Sequence, residues 1–556
     1  MIFTLDSLSV DVRNASPRMD AELHSRIAAA CGLKKEEILS YRILRRSVDA
    51  RKKPGVKLLY RLVVEAKDGA LPGNASPMAR EDLEELSWDP LRYLKKGGSA
   101  PCHPIVVGSG PAGLFAAYAL ALAGCRPLVI ERGYDVERRR KDIDHFFRTR
   151  VLNPESNLLR GEGGAGTWSD GKLYTRIRDP RISFVLESFI RAGAREEIRY
   201  FSHPHIGSDC LPSVIARIRE SIRTLGGTFL WGSEVRSLKI RDGVCRGVVL
   251  SDASVLEAPA FLLAPGHSAR TLILHLISSC GLAHSLKGFQ IGSRVEHPQH
   301  FINRMQYGLA SPPSILGAAE YSMASRPSGK GKEDASQKHD GSGGEKGAST
   351  FCMCPGGEIL PATSELERLC TNGMSNSARS GAFANSAIVA TVDPGIFKDA
   401  AEAFAFLDSL EKNAFLAGGS SYACPAQTLP DFLSGTLSSS LRVPGGAKAG
   451  EKEGSYALGS LPARLDSLLP GDVCTALRRA VRHFEKIMPG FIRNGIFYGL
   501  ETRVSSPVRF LRDPLTLESS VKRLYIGGEG AGAAGGITSA AVDGIRLAEK
   551  ILENYS

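Results

Sequence analysis

The fold is decided by Pro104-Ile-Val-Val-Gly-Ser-Gly-Pro-Ala-Gly113, a short apolar run that leads into three glycines spaced as G-x-G-x-x-G. An apolar helix is predicted from Leu114 to Ala123, and Pro127-Leu-Val-Ile-Glu131 has the composition of a second buried strand. The first glycine permits a tight turn, the second allows close approach to the backbone, and the third lets the helix pack against the strand. The glycines alone would be a weak signal. Strand, glycines, helix, strand and terminal acid together predict a Rossmann-type dinucleotide site.

A second strand–glycine–helix unit lies about four hundred residues later, where Leu524-Tyr-Ile-Gly-Gly-Glu-Gly530 leads into a helix from Thr538 to Leu552. Flavoproteins with two dinucleotide-binding units place such a turn on the ribityl–pyrophosphate and its helix start near the flavin. The sequence therefore predicts FAD rather than NAD, with Glu131 on the ribose hydroxyls. The residues predicted to contact FAD are Gly108, Gly110, Pro111, Ala112, Gly113, Glu131, Arg132, Val235, Gly266, Glu529, Gly536 and Ile537.

The expected fold class is α/β, with a discontinuous, glutathione-reductase-like FAD-binding domain of Rossmann type. An α+β substrate or cap domain is inserted into it, and a small ferredoxin-like α+β module, read as strand–helix–strand–strand, precedes it. Two low-complexity stretches, near Ser325–Gly347 and Gly445–Gly454, are predicted to be surface insertions. The predicted domains are 1–90 (amino-terminal module), 91–103 (linker), 104–280 (FAD domain, first part), 281–499 (cap, with a disordered insertion at 325–347) and 500–556 (FAD domain, second part).

The composition of the chain indicates its redox compartment and limits the partners it could bind. The eleven cysteines are scattered, without a CxxC pair, which argues against a disulfide framework or a zinc site and for a reducing, cytoplasmic compartment. The apolar stretch 105–130 is broken by glycines and prolines, so we expect no membrane span. Between Lys34 and Lys57 there are nine basic and three acidic residues, which we interpret as a solvated strand edge rather than a nucleic-acid surface.

Further motifs carry a resemblance along the whole chain. They include Arg46-Ser-Val-Asp-Ala-Arg51, Gly161-Glu-Gly-Gly-Ala-Gly-Thr-Trp-Ser-Asp-Gly-Lys-Leu173 and Phe351-Cys-Met-Cys-Pro-Gly-Gly357. With His203–Asp209, Arg294–Pro298, Asn372–Ser375 and Glu501–Pro507, they resemble the uncharacterised FAD-dependent dehydrogenases of bacteria and plastids. The resemblance implies FAD and a two-dinucleotide-type fold, and leaves the substrate open. Ala533, where an aromatic residue is expected, and the insertion 325–347 depart from the pattern.

Four residues are the catalytic candidates. Lys172 or Asp170, on a glycine-rich loop expected to pass over the flavin, could shuttle a proton or hold a substrate anion. His297 could be a general acid, although a lone histidine is more often structural. Arg503 could clamp an anionic substrate, or form a structural salt bridge with Glu501.

Two of the cysteines, Cys352 and Cys354, stand in a CxC pair that is a candidate for redox chemistry. Cys352 and Cys354 share a face if the chain between them is extended, and such a pair could exchange electrons with a flavin. Buried free cysteine is the commoner state. No metal site is predicted.

Three functions remain open. The first is an FAD-dependent oxidoreductase that exchanges a hydride between flavin N5 and a small, anionic organic substrate, with NAD(P)H as a candidate donor. The second is an RNA-acting flavoprotein like those that modify tRNA, which would use the basic segment 34–57 for phosphates. The third is an FAD-binding regulatory protein without turnover. The oligomeric state does not follow from the sequence.

Overall fold

The computed structural model of the protein describes residues 1–16, 19, 22–67, 71, 73–79, 102–326, 346–442 and 454–555. Most of the expected linker 91–103 and most of the expected insertions 325–347 and 445–454 lie outside the described residues. No helix among the described residues is both long and apolar enough to cross a membrane.

The amino-terminal module is a four-stranded antiparallel sheet with one helix on it. Its strand order is β2-β3-β1-β4, so the sheet is built around the long pairing of β1 with β3. The helix α1 ends at Gly32, whose left-handed backbone (φ 66°) closes the last turn. The elements are β1 (Ile2–Asp11), α1 (His24–Cys31), β2 (Ile38–Asp49), β3 (Lys57–Ala66) and β4 (Ala75–Pro77).

The first part of the Rossmann-type domain alternates short buried strands with helices and adds a three-stranded meander, β10-β9-β8. Its elements are β5 (Ile105–Val107), α2 (Pro111–Leu122), β6 (Leu128–Ile130), α3 (Val136–Thr149), α4 (Arg181–Arg191), α5 (Leu211–Thr224), β7 (Thr228–Leu230), β8 (Val235–Arg241), β9 (Val244–Leu250), β10 (Val255–Glu257), β11 (Phe261–Leu263) and α6 (Arg270–Ser278).

The middle of the chain forms a seven-stranded sheet of order β14-β15-β18-β13-β21-β19-β20, with antiparallel pairings except between β19 and β20. Its elements are β12 (His284–Leu286), β13 (Phe289–Pro298), α7 (Gln299–Tyr307), β14 (Ala324–Ser325), β15 (Ala348–Cys354), β16 (Gly357–Pro361), β17 (Thr371–Ser375), β18 (Phe383–Val392), α8 (Ala400–Ala417), β19 (Cys424–Thr428), α9 (Leu429–Ser434), β20 (Ser460–Pro462), α10 (Leu465–Leu468), α11 (Gly471–Ile487), β21 (Ile496–Glu501) and β22 (Val508–Phe510).

The end of the chain returns to the first domain with β23 (Leu524–Ile526) and α12 (Ile537–Tyr555). β23 pairs in parallel with β11 and completes a five-stranded parallel sheet of order β23-β11-β5-β6-β7. The strands β5, β11 and β23 of this sheet are largely apolar and buried along their whole length, because helices cover a parallel sheet on both faces. The α/β class and the discontinuous Rossmann-type sheet are therefore as the sequence predicts.

The crossing of α12 over α2 depends on small residues. A Cβ added to Gly544 would lie 2.0 Å from the Ala112 carbonyl oxygen, so the two helices touch backbone to backbone. Such contact brings the two glycine turns, one from each end of the chain, to the same edge of the sheet. The carboxyl edge of a parallel sheet is where nucleotide sites form.

Candidate active site

The first glycine turn has the geometry that its sequence predicts. Gly108 has φ 96°, and a Cβ there would lie 2.5 Å from the Ala264 carbonyl oxygen. A Cβ on Gly113 would lie 1.9 Å from the Gly108 carbonyl oxygen. These two glycines are required by packing, since any side chain would collide with backbone.

Other glycines around the two turns face open space. A Cβ added to Gly110, Gly266, Gly535 or Gly536 would meet no atom within 4 Å. Among the described residues no side chain caps the start of α2 at Gly110, so its first N–H groups remain available to a pyrophosphate. A cradle that is open at the helix starts and free of side chains fits a dinucleotide such as FAD.

Glu131 lies at the end of β6, 8% exposed. Its carboxylate accepts from the Ser109 N–H and hydroxyl at 2.9 and 2.7 Å, and from the Gly133 N–H at 2.9 Å. A carboxylate has about four acceptor sites, so one remains for a ribose hydroxyl. The neighbouring Arg132 is paired with Glu155 and Glu234 instead.

The second glycine turn is fastened to the sheet and to α12. The Gly528 N–H donates to the Asp543 carboxylate at 2.9 Å, and a Cβ on Gly530 would lie 2.3 Å from the Pro265 carbonyl oxygen. Beside the turn, burial raises the pKa of Glu529 to about 7, with Lys287 acting in the opposite direction. The turn of Gly266 and the turn of Glu529 are therefore in contact, as a split cofactor site requires.

The remaining predicted FAD residues have mixed roles. Pro111 and Ala112 open α2, where Ala112 lies in the crossing with α12. Val235 is buried at the start of β8, and Ile537 begins α12.

The loop Gly161–Leu173 joins both halves of this cradle. The Gly163 N–H donates to the Ser109 carbonyl at 2.9 Å, and a Cβ on Gly164 would approach Gly110 Cα at 3.2 Å. At the other end of the loop, Thr538 Oγ1 donates to the Leu173 carbonyl at 2.8 Å. The loop therefore runs from the first glycine turn to the first turn of α12.

Lys172 projects from this loop into a cluster of charged and sulfur groups. Its Nζ lies 3.6 Å from both Cys352 Sγ and Cys354 Sγ, and 3.8 Å from the Asp170 carboxylate. Burial lowers the pKa of Lys172, but the two facing cysteines and Asp170 more than offset this and raise it. The loop of the FAD domain and the strand β15 of the seven-stranded sheet thus meet at one ammonium group.

Asp170 is held by a second cation. Arg379 donates to both carboxylate oxygens, at 3.1 and 2.6 Å, and Asp170 is 1% exposed. Burial acts to raise the pKa of Asp170, yet Arg379 and Lys172 hold it below its usual value. The Asp170 carboxylate therefore lies between two cations, Arg379 and Lys172.

Arg294 closes the cluster from β13. Its side chain is fully buried and donates to the Glu501 carboxylate at 2.8 Å, to the Cys352 carbonyl at 2.6 Å and to Cys354 Sγ at 3.4 Å. Burial raises the pKa of Glu501 to about 7 against the pull of Arg294. Strand alternation separates the side chain of Arg294 from that of His297 on β13.

The structure places His297 away from this cluster. Its ring packs on Phe301 and Phe491, and its Nε2 lies 2.9 Å from the Phe491 carbonyl oxygen. Burial lowers the pKa of His297 to about 4. A neutral imidazole enclosed by aromatic rings favours the structural role over the general acid.

Arg503 lies in a separate buried network. Its guanidinium donates to Glu411, Glu365, Ser268 and Ser364, and these contacts occupy every N–H-bearing nitrogen. The salt bridge with Glu501, which the sequence leaves open beside a substrate clamp, is not formed in the described part of the chain, because Glu501 pairs with Arg294. The geometry favours a structural role for Arg503 over a substrate clamp.

The sequence reasoning missed Arg379 and the part played by Arg294. Arg294 stands in the motif Arg294–Pro298, but its partners, on β15 and β21, lie far away in the sequence. Arg379 follows no motif; its left-handed backbone (φ 50°) and its pairing with Asp170 appear only in three dimensions. Among the described residues no group of three or more His, Cys, Asp or Glu side chains is arranged to hold a metal ion.

Comparison with known proteins agrees with this layout. A family described as FAD-dependent protein, C-terminal domain-like, matches residues 288–504. An NAD(P)-binding Rossmann-like domain matches residues 106–141, and a domain of unknown function matches residues 7–65. A protein of Clostridium beijerinckii, described as uncharacterized, is 38% identical over 99% of both chains.

Two solved structures align with much of the chain at low similarity. CtdE in complex with FAD is 10% identical, with 82% of this chain and 84% of that chain covered and a TM-score of 0.30. Native FqzB is 14% identical, with 82% and 77% covered and a TM-score of 0.31. TM-scores in this range do not establish a shared fold.

Proposed function

The chain belongs to the family of FAD-dependent proteins that the matched C-terminal domain and the Clostridium beijerinckii relative define. On this premise we propose that it is an oxidoreductase that transfers a hydride between flavin N5 and a small anionic organic substrate. When bound, FAD supplies a centre that accepts or donates a hydride. The observation that carries the proposal is the position of Lys172, on a loop that contacts the first glycine turn and ends against the first turn of α12.

The charges around Lys172 support an anionic substrate. Lys172, Arg294 and Arg379 bring three cations together, and Asp170 and Glu501 bring two carboxylates. Lys172 is the accessible member, with 28% of its side chain exposed, whereas Arg294 and Arg379 are buried at 0% and 10%. The role proposed for Lys172 is to hold the substrate anion or to deliver a proton beside the flavin.

NAD(P)H is the proposed electron donor. The sequence contains no second complete fingerprint with its own strand–helix–strand unit, so the nicotinamide would dock on the exposed flavin face. A substrate that donates its own hydride is the alternative source of electrons.

The test is anaerobic rapid mixing of the purified holoprotein with NADH and NADPH, followed at the visible flavin absorption band. Bleaching by either nucleotide is the expected result. The Lys172→Met variant should still bind FAD and bleach, but should lose reoxidation by anionic acceptors. Lys486→Met, an exposed lysine on α11, serves as a surface-lysine control. Absence of bleaching with both nucleotides would reject the nicotinamide-linked version, and purification without bound FAD under saturating cofactor would reject the function as a whole.

A further inference from the structure

The cysteine pair in the Lys172 cluster has a local backbone that differs from an ordinary strand. Cys352 adopts a left-handed conformation (φ 47°), and the register of β15 on β18 shifts between Phe351 and Cys354. The two cysteines were expected to share a face through an extended chain; instead a kink at Cys352 brings both sulfurs to one ammonium group. Strained conformations at non-glycine residues concentrate at functional sites.

The spacing of the two cysteines is compatible with a disulfide between them. In a fully extended strand, residues two apart are separated by about 6.6 Å between Cα atoms, close to the upper end of the roughly 4.4–6.8 Å that disulfides span. Both sulfurs lie 3.6 Å from the Lys172 ammonium, so the two side chains meet at one point. The Cys354 thiol faces back toward its partner, 3.3 Å from the Cys352 carbonyl oxygen.

The two thiols differ in their surroundings. A hydrogen bond from the Cys354 thiol lowers the pKa of Cys352; burial opposes this, but Lys172 and Arg294 add to it, and the pKa lies well below the usual value of a thiol. Burial and the neighbouring Cys352 raise the pKa of Cys354. Cys352 is half-buried and Cys354 is buried. One accessible thiolate beside one buried thiol is the arrangement that thiol–disulfide chemistry uses.

From this geometry we propose that Cys352 and Cys354 form a second two-electron redox centre that exchanges electrons with the flavin. The proposal rests on the proposed function, because a reduced flavin is its partner. In the forward step the Cys352–Cys354 disulfide takes up the two electrons and the one proton that an anionic reduced flavin releases on reoxidation. The S–S bond breaks, Cys352 leaves as a thiolate paired with Lys172, and Cys354 becomes a thiol.

The placement of the pair supports this partner. Lys172 contacts both sulfurs, and the next residue, Leu173, is hydrogen-bonded to Thr538 at the start of α12. When FAD is bound, the backbone of that helix start and of the second glycine turn would hold its flavin end. The other cysteines of the described chain do not share a cation as Cys352 and Cys354 do.

The test measures how many electrons the oxidised holoprotein takes up per FAD. The holoprotein is oxidised with diamide, desalted and titrated anaerobically with dithionite, while the flavin absorbance is recorded. We expect the wild type to take up about four electrons per FAD, and Cys352→Ser and Cys354→Ser to take up about two. Cys280→Ser, which replaces a half-buried cysteine elsewhere, should behave as the wild type.

A second measurement does not depend on the variants. Alkylation of unfolded wild-type protein, followed by peptide mass spectrometry, should block Cys352 and Cys354 after reduction but not after oxidation. A wild type that binds and reduces FAD yet takes up two electrons, with both cysteines alkylated in each state, would overturn the redox proposal and leave the flavin function intact. A protein without FAD would instead reject the proposed function.

Discussion

At the scale of single residues, the ammonium of Lys172 has a measurable effect on the cysteine beside it. Lys172→Met removes the cation 3.6 Å from Cys352 Sγ, so the pKa of Cys352 should rise. The thiolate is the reactive form, so alkylation of Cys352 by iodoacetamide should become slower at neutral pH and its rate profile should move to higher pH. Quantitative mass spectrometry of the Cys352 peptide between pH 5 and pH 10 measures this. A profile unchanged from that of the exposed-lysine control Lys486→Met would contradict the assignment.

A second residue-scale prediction concerns Gly110. A Cβ at this position meets no protein atom within 4 Å, and its φ of −68° suits any residue. Gly110→Val should therefore fold normally while its side chain fills the space of the pyrophosphate, so that FAD content falls at least tenfold. Gly471→Val, an equally open glycine at the start of α11, is the matched control. FAD content and thermal unfolding of both apoproteins are compared; full FAD binding by Gly110→Val would refute the proposed cradle.

At the scale of elements, the junction between the loop Gly161–Leu173 and α12 can be tested. Thr538→Val leaves the buried Leu173 carbonyl without its hydroxyl donor and should lower the free energy of unfolding by about 1–3 kcal/mol. Hydrogen exchange of the loop peptides should become faster. Ser539→Ala removes a hydroxyl that bonds only to carbonyls in its own helix start, and it should leave the loop unchanged. Equal exchange in the two variants would show that the loop is held by other contacts.

The helices, strands and turns differ in how far the sequence alone could predict them. The glycine turns, β5, α2 and β23 were predictable because each is specified by local spacing and apolar runs. The cluster around Lys172 was only half predictable, because Lys172 and the cysteines stand in motifs whereas the contacts of Arg294, Arg379 and Glu501 are made between segments distant in sequence. The choice between the two roles left open for Arg503 could not be made from the sequence for the same reason: Glu501 is near in sequence, yet on β21 it faces Arg294.

At the scale of the whole molecule, the FAD domain and the inserted sheet are joined by the network around Glu411 on α8. Its carboxylate accepts from Arg270, Thr502 and Arg503, and Arg503 also reaches Ser268 and Ser364. The chain therefore fixes the relative position of its two largest parts with buried charges. Since Lys172 comes from one part and Cys352 from the other, this network also sets the geometry of the candidate active site.

Glu411→Gln should consequently destabilise the whole protein. It leaves Arg270 and Arg503 buried without their shared counter-charge, which costs about 3–5 kcal/mol. The control is Asp408→Asn. Asp408 lies on the same helix as Glu411, and its loss breaks a partly exposed pair with Arg368, which should cost about 0–1 kcal/mol.

The arginines hold the pKa of Glu411 far below its usual value despite burial. The stabilisation is therefore complete above the unfolded pKa of about 4.3 and declines as the pH falls below it toward the folded pKa. Urea unfolding at pH 7 and at pH 3.5 should show a large gap between wild type and Glu411→Gln that narrows in acid, whereas a gap that is small at pH 7, or constant with pH, would mean that the two parts are held together by packing rather than by this charge.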